Sequence, residues 1–468
     1  MKRLTNLAHC IIGVLLSGVM SSHILFAQQG KSDITLNPKA TGDSLARTRA
    51  LDSLLQLPSP GTMLKSHPVG YREFLATVAE SNLDFAVQKY NISIAQAQIT
   101  VAKLYPDPSL SAGVTKDITN VPSDQRLGNV WNLGASETIL LGGKIGARSN
   151  VAEENASAAQ AQAEDFFRNL RGTATQGYIN ALIADSTYKA NERTYLNLAE
   201  LTQVNEHRVD AGDLGKVDLL QSRVDAIQAR GVLLQADAAR RQAFIQLGQL
   251  MGRHNSDTLY RPMGNLTFPA RSFILDTLIS RAKESRSDVI AARRALASAR
   301  FSVDLAHAER WPDLTVGAGY TYTGESVNNV APFPGQKVLG FNISIPLPLS
   351  NVLNQGSIQV AEFTYEQAQK SLEVAELKAE TDVRQGYSQF QLAEQQYAQY
   401  STDLLADAEK VRAARLYSFK AGSASLLDVL TAENTLANVY LAYYNALSGY
   451  ANAFVGLEQA AGIWDIEF

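Results

Sequence analysis

The sequence predicts a mostly α-helical chain that carries two short β-hairpins. Three observations lead there. Long alanine-rich stretches run without proline, from about 145 to 208, 216 to 251 and 356 to 418. Two segments alternate with a period of two, Ser109–Thr115 with Asn129–Leu140, and Leu314–Tyr322 with Leu339–Ile345. The same order of motifs then recurs: Gly212, Asp218 and Leu220 align with Gly422, Asp428 and Leu430, all 210 positions apart.

Each element has a local reason. Residues 1–27 read as a secretory signal, with Lys2 and Arg3, the apolar run Ile11–Met20 and a cleavage position at Ala27. The single cysteine, Cys10, precedes the apolar run and is lost with the leader, so the mature chain has no thiol and begins near Gln28 without acylation. Residues 28–70 are polar and proline-rich and read as an extended arm. A helix over 71–105, interrupted near Ser81-Asn82, ends at Pro106-Asp107-Pro108, because proline lacks the ladder donor and restricts its predecessor. The first hairpin follows. Leu141-Gly-Gly-Lys144 has the look of a phosphate loop but lacks the earlier glycine and the following Ser or Thr, so it reads as a strand-to-helix turn.

The first long helix would run roughly 95 Å at 1.5 Å per residue. It ends at the tip Ala211-Gly-Asp-Leu-Gly215, and a return helix runs over 216–251. Residues 253–273, with Pro262 and Pro269, read as irregular. The second copy repeats this plan: a helix over 276–311, Pro312-Asp313, a hairpin, a helix over 356–418, the tip Ala421-Gly-Ser-Ala-Ser425 and a return helix. Gln176-Gly-Tyr178 recurs as Gln385-Gly-Tyr387, 209 positions on. The organisation is therefore a signal (1–27), an arm (28–70), a first repeat (71–273; strands about 109–140, tip about 209–216) and a second repeat (274–468; strands about 314–346, tip about 419–426). Alanines seven apart, at 361, 368 and 375, allow close coiled-coil packing, and helices of this length need partner chains to bury them.

Composition excludes several functions. The formal charge of −4, or −6 without the leader, and the absence of a basic cluster make a nucleic-acid binder a poor fit. His67, His207, His254 and His307 form no local metal motif, and no catalytic constellation stands out, so neither an enzyme nor a cofactor is expected. No later stretch is long and apolar enough for a spanning helix, so entry into a membrane would be through strands, which points to an outer membrane.

With repeat, signal and hairpins together, residues 71–460 resemble the TolC family of outer-membrane efflux factors, through the tip pattern Ala-Gly-x5-Asp-x-Leu at 211 and 421. Within it the chain is similar to the CzcC-like branch associated with heavy-metal export, through Trp311–Tyr320, Ile343–Leu349, Asn354-Gln-Gly356 and Leu141–Lys144. The resemblance implies a homotrimer whose protomers each give four strands to a shared 12-stranded barrel in outer-membrane lipid, above a long periplasmic α-helical barrel. It implies a passive duct fed by a periplasmic adaptor (membrane fusion) protein and a proton-driven inner-membrane pump. The cargo it implies is heavy-metal cations or, alternatively, drugs or other small molecules; a periplasmic coiled-coil scaffold without a pore is the reading from a different class.

The resemblance also implies site residues. The adaptor would meet the tips at Gly212, Asp213, Leu214 and Gly215, and at Gly422, Ser423, Ala424 and Ser425. Asp428 matches the first position of an acidic Asp-x-x-Asp constriction, Thr431 replaces the second, Phe419 stands where a tethering tyrosine is common, and Asp218 is the counterpart in the first copy. A carboxylate one turn into a helix is also what a helix N-terminus favours, and the sequence leaves both roles open for Asp428.

Overall fold

The computed structural model describes residues 66–116, 118, 128–253, 259–265, 271–325, 332–347, 355–400 and 402–464. The signal, most of the arm, Cys10 and Asn354 lie outside them. In chain order the elements are β1 (Ser66–Gly70), α1 (Tyr71–Ser81), α2 (Leu83–Ala102), β2 (Ser109–Thr115), β3 (Val130–Ile139), α3 (Lys144–Asp210), α4 (Lys216–Leu250), β4 (Leu259–Met263), α5 (Leu275–Ser285), α6 (Ser287–Ala308), β5 (Leu314–Thr323), β6 (Gln336–Ser344), α7 (Gly356–Gln399), α8 (Thr402–Lys420) and α9 (Leu426–Ala461).

Four readings of the chain need correction. The arm ends in a strand, because Ser66–Gly70 pairs in parallel with Leu259–Met263, inside the stretch expected to be irregular. Pro262 is tolerated there because the sheet has only two strands and each is an edge. The helix expected over 276–311 breaks at Arg286, whose backbone is extended (φ −66°, ψ 133°) like that of Asn82 (φ −64°, ψ 124°). Neither proline nor glycine causes that break; Arg286 is held by Asp288, Asp382 and the Ala460 carbonyl at 2.6–3.1 Å. The second long helix is likewise two helices, parted at Tyr400, whose N–H bonds back to Tyr397 in the tighter i−3 manner.

The first long helix is continuous. It has 67 residues and is about 100 Å long by the usual rise. Gly142 and Gly143, both at φ 74°, turn the chain from β3 into it. A side chain on Gly142 would strike Trp311 at 2.7 Å, so that glycine is required twice over. Lys144, at the helix start, is buried and donates to Asp313 at 2.7 Å, tying the strand-to-helix turn before α3 to the helix-to-strand turn before β5.

The four long strands form one antiparallel sheet in the order β2-β3-β5-β6. Beside it, α2 packs on α3, α3 on α6 and α6 on α7; toward the other end α4 packs on α3, α3 on α9 and α9 on α8. The main core lies between these ends, around β1 and β4. There Tyr178 shares its hydroxyl proton between the carbonyls of Val69 (2.9 Å) and Met263 (2.6 Å) and accepts the Met263 N–H (3.0 Å). Burial pushes that phenol up to about 12. Tyr71 bonds Thr175 at 2.9 Å beside it, so α3 carries the small sheet.

Candidate functional site

Two places in the molecule carry unusual surface chemistry: the sheet at one end of the long helices and the two tips at the other.

Strand alternation and register sort the sheet residues into two faces. Leu110, Ala112 and Val114 of β2 stand opposite Ala135, Leu133 and Trp131 of β3. These stand opposite Ala318, Tyr320 and Tyr322 of β5, and β6 continues the face with Phe341, Leu339 and Lys337. The residues between them, Ser109, Ser111, Asn132, Gly134, Ser136, Thr138, Gly317, Gly319, Thr321, Gly340 and Asn342, make the other face. Val130 and Val338 apart, that second face is polar or glycine and bonds across strands, Ser109 to Ser136 at 2.8 Å and Thr321 to Asn132 at 2.9 Å.

The apolar face is uncovered. Leu110, Phe341 and Ile343 are 77%, 81% and 73% exposed, far more contiguous apolar surface than water tolerates on a finished protein. At the tilt of a barrel strand, the ten residues of β3 would span about 23 Å, close to the apolar height of an outer membrane. Tyr105 and Trp311 lie exposed at the helix end of this band, and Trp131 and Tyr322 near the other, as interfacial aromatics do. Glu137 is the face's one carboxylate among the described residues, and it sits toward the helix end, where an interfacial acid costs little. No helix among the described residues is long and apolar enough to cross a membrane.

The tips are two matched helix ends. At the first, the Asp213 N–H reaches the Arg208 carbonyl (2.8 Å) and the Gly212 N–H reaches Val209 (3.0 Å). At the second, Ser423 reaches Ser418 (2.9 Å) and Gly422 reaches Phe419 (3.0 Å). This double closure is the Schellman arrangement, which needs a left-handed residue, and Gly212 (φ 83°) and Gly422 (φ 77°) supply it. Nothing lies within 4 Å of where a side chain on either glycine would point, so the tips end in open space. Leu214 and Ala424 are half-buried, while Asp213, Gly215, Ser423 and Ser425 are exposed. The tips lie side by side: the Arg208 guanidinium stacks 4.7 Å from the centre of the Phe419 ring.

Of the constriction residues inferred from sequence, Asp428 and Thr431 show their side chains to solvent and Phe419 does not; its ring is buried beneath Arg208. Asp428 closes a capping box. Its carboxylate accepts from the Ser425 hydroxyl (2.7 Å) and N–H (3.0 Å), and its own N–H donates to the Ser425 hydroxyl (3.2 Å). Those bonds, with Arg415 at 4.0 Å, hold the Asp428 carboxyl below the usual aspartate range. Thr431 bonds back to the Leu427 carbonyl at 2.7 Å. Asp218 starts α4 similarly, but the capping position there is Gly215, which has no side chain to reciprocate. The Ser-x-x-Asp signature at 425–428 is the signal from which this cap is readable. The Arg208–Phe419 stack has no such signal, because its partners are 211 residues apart. Among the described residues no group of three or more His, Cys, Asp or Glu side chains is arranged to hold a metal ion.

The chain matches the family described as outer membrane efflux protein over residues 75–253 and 278–463. It is 26% identical to the cobalt-zinc-cadmium resistance protein CzcC of Cupriavidus metallidurans over 398 residues, covering 84% of this chain and 90% of that protein. It is 23% identical to the outer membrane protein TolC of Vibrio cholerae over 306 residues, 64% of this chain and 66% of that one. The crystal structure of the Campylobacter jejuni CmeC outer membrane channel shares the fold, with a TM-score of 0.68 at 19% identity over 84% of this chain and 85% of that one. A tip-to-sheet architecture of this kind and a match across most of the chain make the protein a member of the outer membrane efflux protein family.

Proposed function

We propose that this protein is the outer-membrane duct of a tripartite export system, a passive conduit that receives its cargo from a periplasmic adaptor and a proton-driven inner-membrane pump. The carrying observation is the four-stranded sheet with one exposed apolar face and one polar face, mounted on helices about 100 Å long. The apolar face turns to lipid and the polar face lines the lumen.

The working form is a homotrimer, and the unpartnered edges support it. The sheet ends on β2 and β6. The helical layers end on α2, with exposed Leu83, Val87, Tyr90 and Ile94 at heptad spacing, and on α7, with exposed Val360, Phe363, Val374 and Leu377. Unlike edges at opposite sides close head to tail into a ring. Two copies would give eight strands, whose interior side chains fill; three give twelve strands and an open lumen. The chain acts as two repeats, 71–273 and 274–468, after a removed signal and an arm. The tips, Gly212–Gly215 and Gly422–Ser425, dock the adaptor through backbone and small-residue contact. Asp428 and Thr431 form the narrow ring near the periplasmic entrance, backed by Phe419, with Asp218 contributing less because it sits in a different helix pair. Three Asp428 carboxylates around one axis favour cations. The cargo is divalent metal cations, a reading supported by the similarity to a metal-resistance protein.

The test has separable parts. The protein should fractionate with outer membranes and migrate as a heat-modifiable trimer; a monomer free in the periplasm would return the scaffold reading. Loss of the gene should sensitise cells to cobalt, zinc or cadmium, whereas sensitivity to dyes and detergents alone would move the cargo to organic molecules. In planar bilayers Asp428→Asn should lower cation selectivity and weaken block by multivalent cations, and Asp218→Asn should do less. Unchanged selectivity in Asp428→Asn rules out the acidic ring.

A further inference from the structure

The apolar face of the sheet is uneven, and its unevenness has a charge attached. Along β2 the residues on this face are Leu110, Ala112 and Val114; the exposed Lys116, one residue past the strand's end at Thr115, is the next position of the same alternation. Ala112 is short, while its cross-strand neighbours Leu133 and Tyr320 are long, and Trp131 rises beside them. The result is a hollow of about 300 Å³ lined mainly by residues of this face, Ala112, Val114, Trp131, Leu133 and Tyr320, with Gly113 and Asn132 also in its wall. Lys116 lies two positions beyond Val114, about 7 Å further on at the rise of extended chain and just past the strand, at the end remote from the helices. Lys337 of β6 is on the same face near the same end, in the cross-strand row of Tyr322 and Trp131. Among the described residues the charge is one-sided: Lys337 and, just past the end of β2, Lys116 are at the outer end, and the carboxylate Glu137 is toward the helix end.

We propose that this outer end is a binding site for an acylated lipid of the outer leaflet whose phosphate gives it a net negative charge. An acyl chain lies in the hollow against Trp131 and Tyr320, and Lys116 meets the phosphate at headgroup depth. The inference rests on the reading that this face meets lipid. Because β2 and β6 are the edges that ring closure would join, each seam brings Lys116 of one copy toward Lys337 of the next, so a closed ring presents three paired-lysine sites. An exposed lysine at the edge of an apolar band keeps its stem on the apolar surface and its ammonium among headgroups. Each cation near an anionic membrane surface contributes about fivefold in binding.

The test is native mass spectrometry of the detergent-purified full-length protein, titrated separately with diphosphorylated lipid A, phosphatidylcholine and inorganic phosphate. The wild type should retain lipid A at least about fivefold more tightly than phosphatidylcholine, and millimolar phosphate should not displace it. Lys116→Gln should weaken lipid A about fivefold and leave phosphatidylcholine unchanged. Ala112→Phe, which fills the hollow, should weaken both lipids. Equal retention of lipid A by wild type and Lys116→Gln overturns the site, as does displacement by inorganic phosphate alone. Lys116→Gln alters one exposed side chain, so it remains informative if Ala112→Phe does not fold. Outer-membrane fractionation of the same preparations separates the two ideas: protein that fractionates correctly but shows no lipid preference removes the lipid site and leaves the duct standing.

Discussion

The two halves of the chain build similar helix pairs from different chemistry. Position 240 on α4 and position 450 on α9, 210 apart, face a tyrosine on the long helix of their half. In the first half Arg240 lies 3.6 Å over the Tyr188 ring; in the second Tyr450 stacks on Tyr397 at 5.3 Å. One turn earlier Asp237 corresponds to Leu447, and both are buried. Around Asp237 the first half gathers Arg240 (2.5 Å) and Arg241 (2.8 Å), with Lys189 and Arg261 on Asp185. Around Tyr450 the second half gathers Phe390, Phe454 and Phe273. Nearer the tips the sign reverses. Arg223 of α4 pairs with Glu206 at 2.8 Å, and Glu433 of α9, again 210 on, pairs with Arg412 at 2.6 Å. What persists is the slot, a buried position facing the long helix. A charge can fill it if a partner is supplied, and a ring can fill it without one.

The largest effect should come from removing one partner in the charged half. Asp237→Ala leaves Arg240 buried against Tyr188 with only the longer contact to Asp185 (3.7 Å), and should cost about 3 kcal/mol. The paired exchange Asp237→Leu with Arg240→Tyr, which installs the second half's residues, should cost less than the single change. Thermal midpoints of the detergent-solubilised protein measure both, and a double variant worse than the single one would show that the slots are not interchangeable.

Reversing one charge near the tips comes next. Arg223→Glu sets a buried carboxylate against Glu206 and should cost about 2–3 kcal/mol. Adding Glu206→Arg should recover most of it, giving the first half the polarity of the second; a double-mutant cycle on unfolding midpoints reads the recovery.

Gly212→Val and Gly422→Val should each cost about 1–2 kcal/mol from left-handed strain, and by similar amounts, because neither glycine is crowded. Unequal losses would mean that one tip is covered in the assembly.

The smallest effects concern the caps. Ser425→Ala should cost about 1 kcal/mol, and Gly215→Ser should gain a few tenths by giving the first tip the cap it lacks. Acid should loosen the second tip. The Asp428 carboxyl titrates below its unfolded value, so its contribution is present above the ordinary aspartate range and is lost as pH falls through the lowered value. Amide exchange at residues 425–428 should accelerate on acidification relative to the intrinsic rate.

The same contrasts explain what was legible in the sequence. The hairpins were, because alternation is a local property and Pro106 and Pro312 mark their entries. The tips were, because an Ala-Gly pair ending a helix leaves few alternatives to a left-handed cap. The small sheet was not: β1 and β4 are five residues each, both contain proline, and they pair across about 190 residues. The break at Arg286 was hidden for a related reason, since its guanidinium is satisfied by Asp382 and Ala460, far along the chain. Asp428 was visible as a residue and ambiguous as a role, because one carboxylate position serves both a cap and a ring.

The unbroken α3 and the jointed α7–α8 pair differ mechanically as well. A 67-residue helix with no break resists bending along its whole length, while its counterpart yields first at Tyr400. In a ring of three copies, three unbroken staves and three jointed ones would be spaced around the wall, with α6 and α9 between them. A load applied at the tips would then be shared unequally. The hinged staves would deflect and the rigid ones would keep the distance between the tips and the membrane fixed, so the wall could change its bore without changing its height.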